Sequence, residues 1–274
     1  ANPGARIENR GTITVREQGL AALVGPSVAN SGSIRARLGR VAMAGGAEGF
    51  TLDLAGDGLL SIDVTRQVQQ APDGGVALAT NAGRIEAASG QVLLSASAAS
   101  GVLENLVLAG GEIIAPGGLV ALQANGGGVR ITGAVQAASG RIAATASGEV
   151  RLAAGALLVA SGGGGRVVIG GSMDSRPSAP QRLAGRATVE RGATARADGQ
   201  GGEVILHSAT RTVHHGQLSA DRGTVEVSSR GALAVDGAME AALVLIDPVT
   251  LRVVSSLSGA TEPAEVTAAS INAT

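Results

Sequence analysis

One phrase returns along this chain at a nearly fixed interval, and that recurrence restricts the fold more than any other feature. Asn9-Arg10-Gly11-Thr12-Ile13 is matched by Asn30-Ser31-Gly32-Ser33-Ile34, a step of 21 residues. A looser form, an alternating strand broken by a Gly turn, follows at 84–92, 134–142 and 217–225. Ile113 to Val135 is 22 residues, Val129 to Val150 is 21 and Leu218 to Met239 is 21. A period of about 20 to 25 residues marks a solenoid, in which each repeat buries its apolar face against the next.

Within that class the alternatives separate. A leucine-rich repeat needs a dense Leu ladder with an Asn at a fixed offset, whereas the apolar positions here interchange Val, Ile, Leu and Ala. Helical repeats need apolar spacing near 3.6. Here the spacing is two: Thr12 and Thr14 alternate with Ile13 and Val15, and Thr224 and Glu226 with Val225 and Val227. Glycines punctuate the chain too often for helices. The expected fold class is therefore all-β, a parallel β-helix with coils of about 21–23 residues. Each coil holds three short strands, and coils stack about 4.8 Å apart through parallel ladders. About ten to twelve coils would make a rod on the order of 50 Å long.

Composition agrees with a narrow interior. The 274 residues include 43 Gly and one aromatic, Phe50, while 45% are hydrophobic. Val, Leu and Ile at that level can fill a core, but without aromatics they suit a thin, repetitive one. Glycines take turns that need positive φ, and Asn9 and Asn30 are expected to stack in one such turn and hydrogen-bond along the rod. The composition also excludes functions. The net charge of −1 and scattered arginines give no stripe for nucleic acid, and without Tyr or Trp no base-stacking platform exists. No Cys means no disulfide, thiolate metal site or Cys nucleophile, and no Lys means no Schiff base or P-loop. No apolar run approaches the roughly 18 residues of a membrane span, so no membrane insertion is expected. The opening Ala1-Asn2-Pro3-Gly4 has no export-signal pattern, and the chain is expected to be a fragment of something longer.

One β-helix is expected over 1–258. It is interrupted near 67–75, around Pro72, and near 170–185, where Met173-Asp174-Ser175-Arg176-Pro177 breaks the period. The remainder, 259–274, is a tail or the start of a further module. No polar cap is evident at Ala1 or Thr274, so the rod's ends are expected to continue into further sequence or to stack on another copy.

The order of these phrases resembles exoproteins of the filamentous haemagglutinin type, which leave bacteria by two-partner secretion. The resemblance runs through Arg10-Gly11-Thr12-Ile13, Ala22-Leu23-Val24-Gly25-Pro26 and Asn30-Ser31-Gly32-Ser33-Ile34. It continues at Phe50-Thr51-Leu52-Asp53-Leu54-Ala55-Gly56-Asp57-Gly58-Leu59-Leu60, then Val167-Val168-Ile169-Gly170-Gly171 and Gly192-Ala193-Thr194-Ala195-Arg196-Ala197-Asp198. Gly201-Gly202-Glu203-Val204-Ile205, Gly216-Gln217-Leu218-Ser219-Ala220 and Leu243-Val244-Leu245-Ile246-Asp247-Pro248-Val249-Thr250-Leu251 complete it across nearly the whole chain. The resemblance implies a right-handed β-helix, secreted or displayed on the bacterial surface, non-catalytic and without a cofactor. It places this stretch after an amino-terminal secretion domain that is read by an outer-membrane transporter. It implies a host or neighbouring-cell receptor or matrix as a further partner. The family's aromatics near Val204 and Leu243 are aliphatic here, a departure that bears on ligand specificity. A chain threaded unfolded through a pore also gains by having no disulfide to form beforehand.

The polar residues offer several chemistries, each set against a bland reading. His207, His214 and His215 lie within nine positions, but adjacent residues on a strand face opposite ways and no carboxylate stands at ligand spacing. They are read as solvated or turn histidines, not a metal site. Asp53, Asp57 and Asp63 contain the carboxylate pair a glycosidase needs, yet Asp57-Gly58 is a turn signature and Asp53 and Asp63 suit outward strand positions. Asp198-Gly199-Gln200-Gly201-Gly202 faintly resembles a calcium-binding turn without its tandem copies. Gly162-Gly163-Gly164-Gly165-Arg166 lacks the Lys-Ser/Thr and helix of a phosphate loop. Asp247-Pro248 is a turn start.

The expectation is thus a non-catalytic extracellular adhesin or scaffold. An interaction loop is placed at Met173, Asp174, Arg176, Gln181 and Arg182, and structural turns at Asn9, Asn30, Asp57 and Asp247. The alternative is a stretch or subunit of a filament that associates with itself end to end, and an enzyme acting on polysaccharide ranks behind both.

Overall fold

The structure, a computed structural model, describes residues 4–53, 61–72, 74–172, 183–248, 250–259 and 264–272. Twenty-six strands belong to one hydrogen-bonded system in which every pairing is parallel, and two more form a separate antiparallel hairpin. The parallel strands stack on three faces, as a β-helix. Arg6–Asn9, Thr12–Thr14 and Leu20–Gly25 make the first coil, one strand on each face. Ser27–Asn30, Ser33–Arg35 and Arg40–Gly45 lie directly on them in the second.

The recurring phrase sets the register. Ile13 pairs with Ile34, Ile113 with Val135, Val129 with Val150 and Leu218 with Met239. On the second face Ile13, Ile34, Ile85, Ile113, Val135, Leu158, Ala195, Leu218 and Met239 form one inward column. From Ile34 to Leu218 every member is fully buried. Alternation at period two sends one set of side chains into this aliphatic interior and the other outward. Each inward residue meets its counterpart one coil away, a spacing that branched aliphatics fill and an indole overfills.

Nine strands stack on the second face, so the described residues hold nine complete coils, fewer than the period suggested. The reason is chain spent outside the rod. The step from Asn30 to its partner Asn81 is 51 residues, and that from Thr188 back to its neighbour Arg151 is also enlarged. In the first excursion Glu48–Asp53 and Ser61–Arg66 pair as an antiparallel hairpin. Val64 packs outside the third face against Ala42, Ala44 and Leu93, which point outward yet are buried. The excursion therefore starts well before 67, and its small seat, two alanines, lets the hairpin lie close to the sheet. The second excursion leaves the rod at Gly170, and strand Ala184–Val189 resumes it.

Near the end the chain reverses the stacking order. Ala264–Thr267 pairs with Ala232–Val235 on one side and with Leu251–Val254 on the other. A five-residue helix, Ala268–Asn272, follows. The described part of 259–274 is thus neither a frayed tail nor a separate module. Ala264 and Val266 continue the inward columns and are buried. No helix among the described residues is long and apolar enough to cross a membrane.

Candidate functional site

The chemistry available inside the rod concentrates in one inward column of the first face. Reading from the first coil onward, the column holds Asn9, Asn30, Asn81, Ala109, Ile131, Leu152, Val189, His214, Val235 and Val266. It sits at the corner where the first face turns into the second, so side chains here can also reach the turn's backbone.

The first three members form an amide ladder. Asn9 Nδ2 donates to Asn30 Oδ1 at 2.8 Å, and Asn30 Nδ2 donates to Asn81 Oδ1 at 2.7 Å. Asn9 Oδ1 accepts from the Gly11 N–H, and Asn81 Nδ2 donates to the carbonyls of Gly83 and Glu112. All three residues are buried. Stacked identical amides satisfy one another because the coil repeat brings a donor over each acceptor. Two residues beyond Asn30 and Asn81, at Gly32 and Gly83, the turn passes so close to the coil below that only glycine fits. A Cβ on Gly83 would lie 2.1 Å from the Gly32 carbonyl oxygen.

The three histidines share this end of the molecule but not one site. His207 and His214 belong to the same long strand, Glu203–His214, which bends from the third face into the first. His207 points outward and His214 inward, and both are buried, a correction to the reading of them as solvated or turn residues. Burial pushes the His207 imidazole down, with Glu226, 3.9 Å away, opposing. His215 is half-buried in the turn, where its Nδ1 meets Asp236 Oδ1, and Arg191 holds the other Asp236 oxygen at 3.1 Å. Among the described residues no group of three His, Cys, Asp or Glu is placed to hold a metal.

His214 is the unusual member of the column. Its Nε2 lies 3.1 Å from the Ala238 carbonyl oxygen, one coil further on, so Nε2 carries the proton and donates. Its Nδ1 is buried without a hydrogen-bond partner. Burial lowers its pKa to about 4; the bond to Ala238 opposes this, His215 adds to it and Asp236 opposes it. The ring is wedged against Gly237, where a Cβ would sit 2.6 Å from both Cε1 and Nε2.

Several other acids are committed to neighbours. Burial pushes the Asp198 carboxyl up, but the Ser219 hydroxyl and the Arg196 guanidinium outweigh it and hold it below the usual range. Asp198 also accepts from the Asp221 N–H, so this turn has its carboxylate spent on protein donors. The Arg84 guanidinium bonds both Glu86 and Glu112, and Arg35 bonds Glu86 from the coil below. Asp53 and Asp63 lie in the hairpin, opposite Ser61 and Thr51. Gly162 and Gly164 take positive φ in a turn that leads into strand Arg166–Ile169 and not into a helix. Asp247 ends its strand, stacked on Ser228. Met173, Asp174, Arg176, Gln181, Arg182 and Asp57 lie outside the described residues.

With the geometry in place, comparison with known proteins narrows the reading. No family model and no curated protein matches the chain. Among solved structures it is similar to the crystal structure of the HMW1 secretion domain from Haemophilus influenzae, with a TM-score of 0.68 at 22% identity. The chain shares the fold of that domain. The likeness covers 88% of this chain and 66% of the other, so the chain spans slightly under two thirds of its neighbour's length. The resemblance in sequence set this stretch after a secretion domain, whereas the likeness in structure is to a secretion domain itself. Short aliphatic phrases recur along any long rod of stacked coils and do not fix a position within it.

Two features escaped sequence reasoning although a signal existed for each. Asn81-Ala82-Gly83-Arg84-Ile85 repeats the phrase of Asn9 and Asn30, but 51 residues on instead of 21. His214-His215-Gly216-Gln217-Leu218 occupies the same frame, with His where the ladder has Asn.

Proposed function

We propose that this chain is a secretion-domain β-helix of a two-partner exoprotein of the filamentous haemagglutinin type. An outer-membrane transporter recognises it, and the protein is secreted or shown at the bacterial surface. The observation that carries this reading is the likeness to the HMW1 secretion domain over 88% of the chain. A chain of stacked coils suits such export, because each coil can fold on the one that emerged before it. The absence of Cys means that no disulfide can form before passage.

The rod is a non-catalytic scaffold in adhesion or surface structure. Its half-buried carboxylates support that reading: Glu86 is held below its usual range first by the Arg84 hydrogen bond, and Glu190 first by the Ala154 N–H. A general acid for glycoside hydrolysis needs the opposite shift.

The test is export. The chain, fused ahead of a reporter and behind a periplasmic targeting signal, is produced with and without an outer-membrane transporter of the two-partner type. Transporter-dependent appearance of the reporter in the medium is the expected result. Retention in the periplasm with the transporter present, or equal release without it, overturns the proposal. Absence of turnover on a panel of polysaccharides is expected alongside.

A further inference from the structure

We propose that His214 is an acid-sensitive latch between the eighth and ninth coils: protonating its buried ring parts the ninth coil while the earlier coils stay closed.

The geometry places the imidazole at the junction of those two coils. It projects from the end of strand Glu203–His214, in the eighth coil, and its Nε2 reaches Ala238 O in the ninth, so close to Gly237 that a Cβ there would lie 2.6 Å from the ring. Its neighbours along the column are Val189 below and Val235 above, which offer no acceptor. Because Nε2–H already donates to Ala238, an added proton must go to Nδ1. That nitrogen is buried and unpartnered, so the proton would create a cation whose second N–H has no acceptor.

Relief requires movement of one coil past the other. The backbone bonds at stake are Asp236 N–H and Gly237 N–H to the His214 carbonyl, and Ala238 N–H to the Gly216 carbonyl. They sit at the turn between strands Ala232–Val235 and Ala238–Asp247, the rungs of the ninth coil, so the ladders of both strands to the eighth coil open from this point. In a solenoid each coil contacts mainly its neighbours, so such an opening need not spread.

The charged groups around the ring do not remove the cost. His215, in the turn that follows the strand, is bonded to Asp236 of the next turn. Arg191, from the turn below, holds the other oxygen of Asp236. Glu190 beside it is bonded to Ala154 N–H and to Arg151. The carboxylates of Glu86, Glu190, Asp198 and Glu265 are held below their usual range, so they stay ionised as His214 begins to feel the proton. His207 is the one other buried histidine, and it lies on the third face of the preceding coil.

Hydrogen–deuterium exchange of the whole chain, with labelling times scaled for the intrinsic pH effect, tests the latch. Between pH 7 and pH 5, peptides covering 232–247 are expected to lose protection roughly twentyfold, the factor that follows from lowering the imidazole from 6.5 to about 4. Peptides from the first six coils keep theirs. His214→Val, which supplies the residue found above and below it in the column, removes the loss, while His207→Gln leaves it in place. An equal loss in His214→Val, or one spread evenly over all coils, overturns the proposal. A measurement on the unaltered chain guards against a variant that fails to fold: its three histidines allow each ring to be titrated by NMR. His214 is expected to stay neutral until the pH at which 232–247 open. Titration near 6.5 with that segment still protected overturns the latch.

Discussion

The asparagine end and the histidine end of the molecule place polar side chains in the same inward column, with opposite results. Asn9, Asn30 and Asn81 occupy consecutive coils, so each amide hands a hydrogen bond to the next. His214 stands alone between Val189 and Val235 and keeps one nitrogen unpaired. A polar residue is thus tolerated inside a β-helix when the coil repeat duplicates it. An unrepeated one is a weak point, because its neighbours along the axis have no matching donor or acceptor.

Breaking the ladder should show the largest effect. Asn30→Leu removes the middle amide and leaves a donor on Asn9 and an acceptor on Asn81 buried and unpaired, at about 1–3 kcal/mol each. Urea denaturation followed by circular dichroism is expected to show a loss of about 3 kcal/mol at pH 7. An unchanged midpoint would mean that the ladder merely decorates a fold fixed by its aliphatic columns.

The histidine end responds to pH with a defined sign. His214 sits near 6.5 when unfolded and at about 4 when folded, so the unfolded chain takes up the proton first. Its effect on stability is absent above about pH 6.5, and stability is lost progressively as pH falls from there towards 4. The full loss is about 3 kcal/mol. Denaturation midpoints of His214→Val and the unaltered chain are therefore expected to diverge across that window and to run parallel above it.

Gly237→Ala sharpens the comparison from the glycine side. Its new Cβ would press on the His214 ring and on the Gly216 carbonyl oxygen, each 2.6 Å away. A cost of about 2 kcal/mol is expected at pH 7, and the double variant with His214→Val should recover part of it. If the double variant recovers nothing, the carbonyl contact alone dictates glycine there.

The smallest effect belongs to the exposed ladder of Arg84, Glu86 and Glu112, outside the rod near the asparagine end. Arg84→Ala should shift the denaturation midpoint least of these variants, and the difference should shrink in high salt. A larger, salt-independent cost would show that these ions, and not the buried amides, hold the first coils together.

How far the sequence reveals each end follows from the same repetition. Register at Ile13 and Ile34, and at Leu218 and Met239, is legible because a parallel β-helix stacks like on like at a constant step. The step from Asn30 to Asn81 hides the third rung, since the hairpin inserted between them leaves no trace in the period. Burial of His207 and His214 is hidden for a different reason. Whether a residue in an alternating strand faces inward depends on where the strand bends, and Glu203–His214 carries both through one corner.

By itself, the sequence determined the architecture: alternation at period two, a repeat of about 21 residues and an aliphatic interior admit little besides a parallel β-helix. It also determined which classes of chemistry are absent, because Cys, Lys, Trp and Tyr are missing altogether. Only the tertiary structure decided which polar residues meet. The ladder partners lie 21 and 51 residues apart, and the two nitrogens of His214 differ because one meets a carbonyl and the other is buried with no partner. Such contacts run along the rod axis, perpendicular to the chain. They depend on how much chain each coil spends outside the rod before it returns.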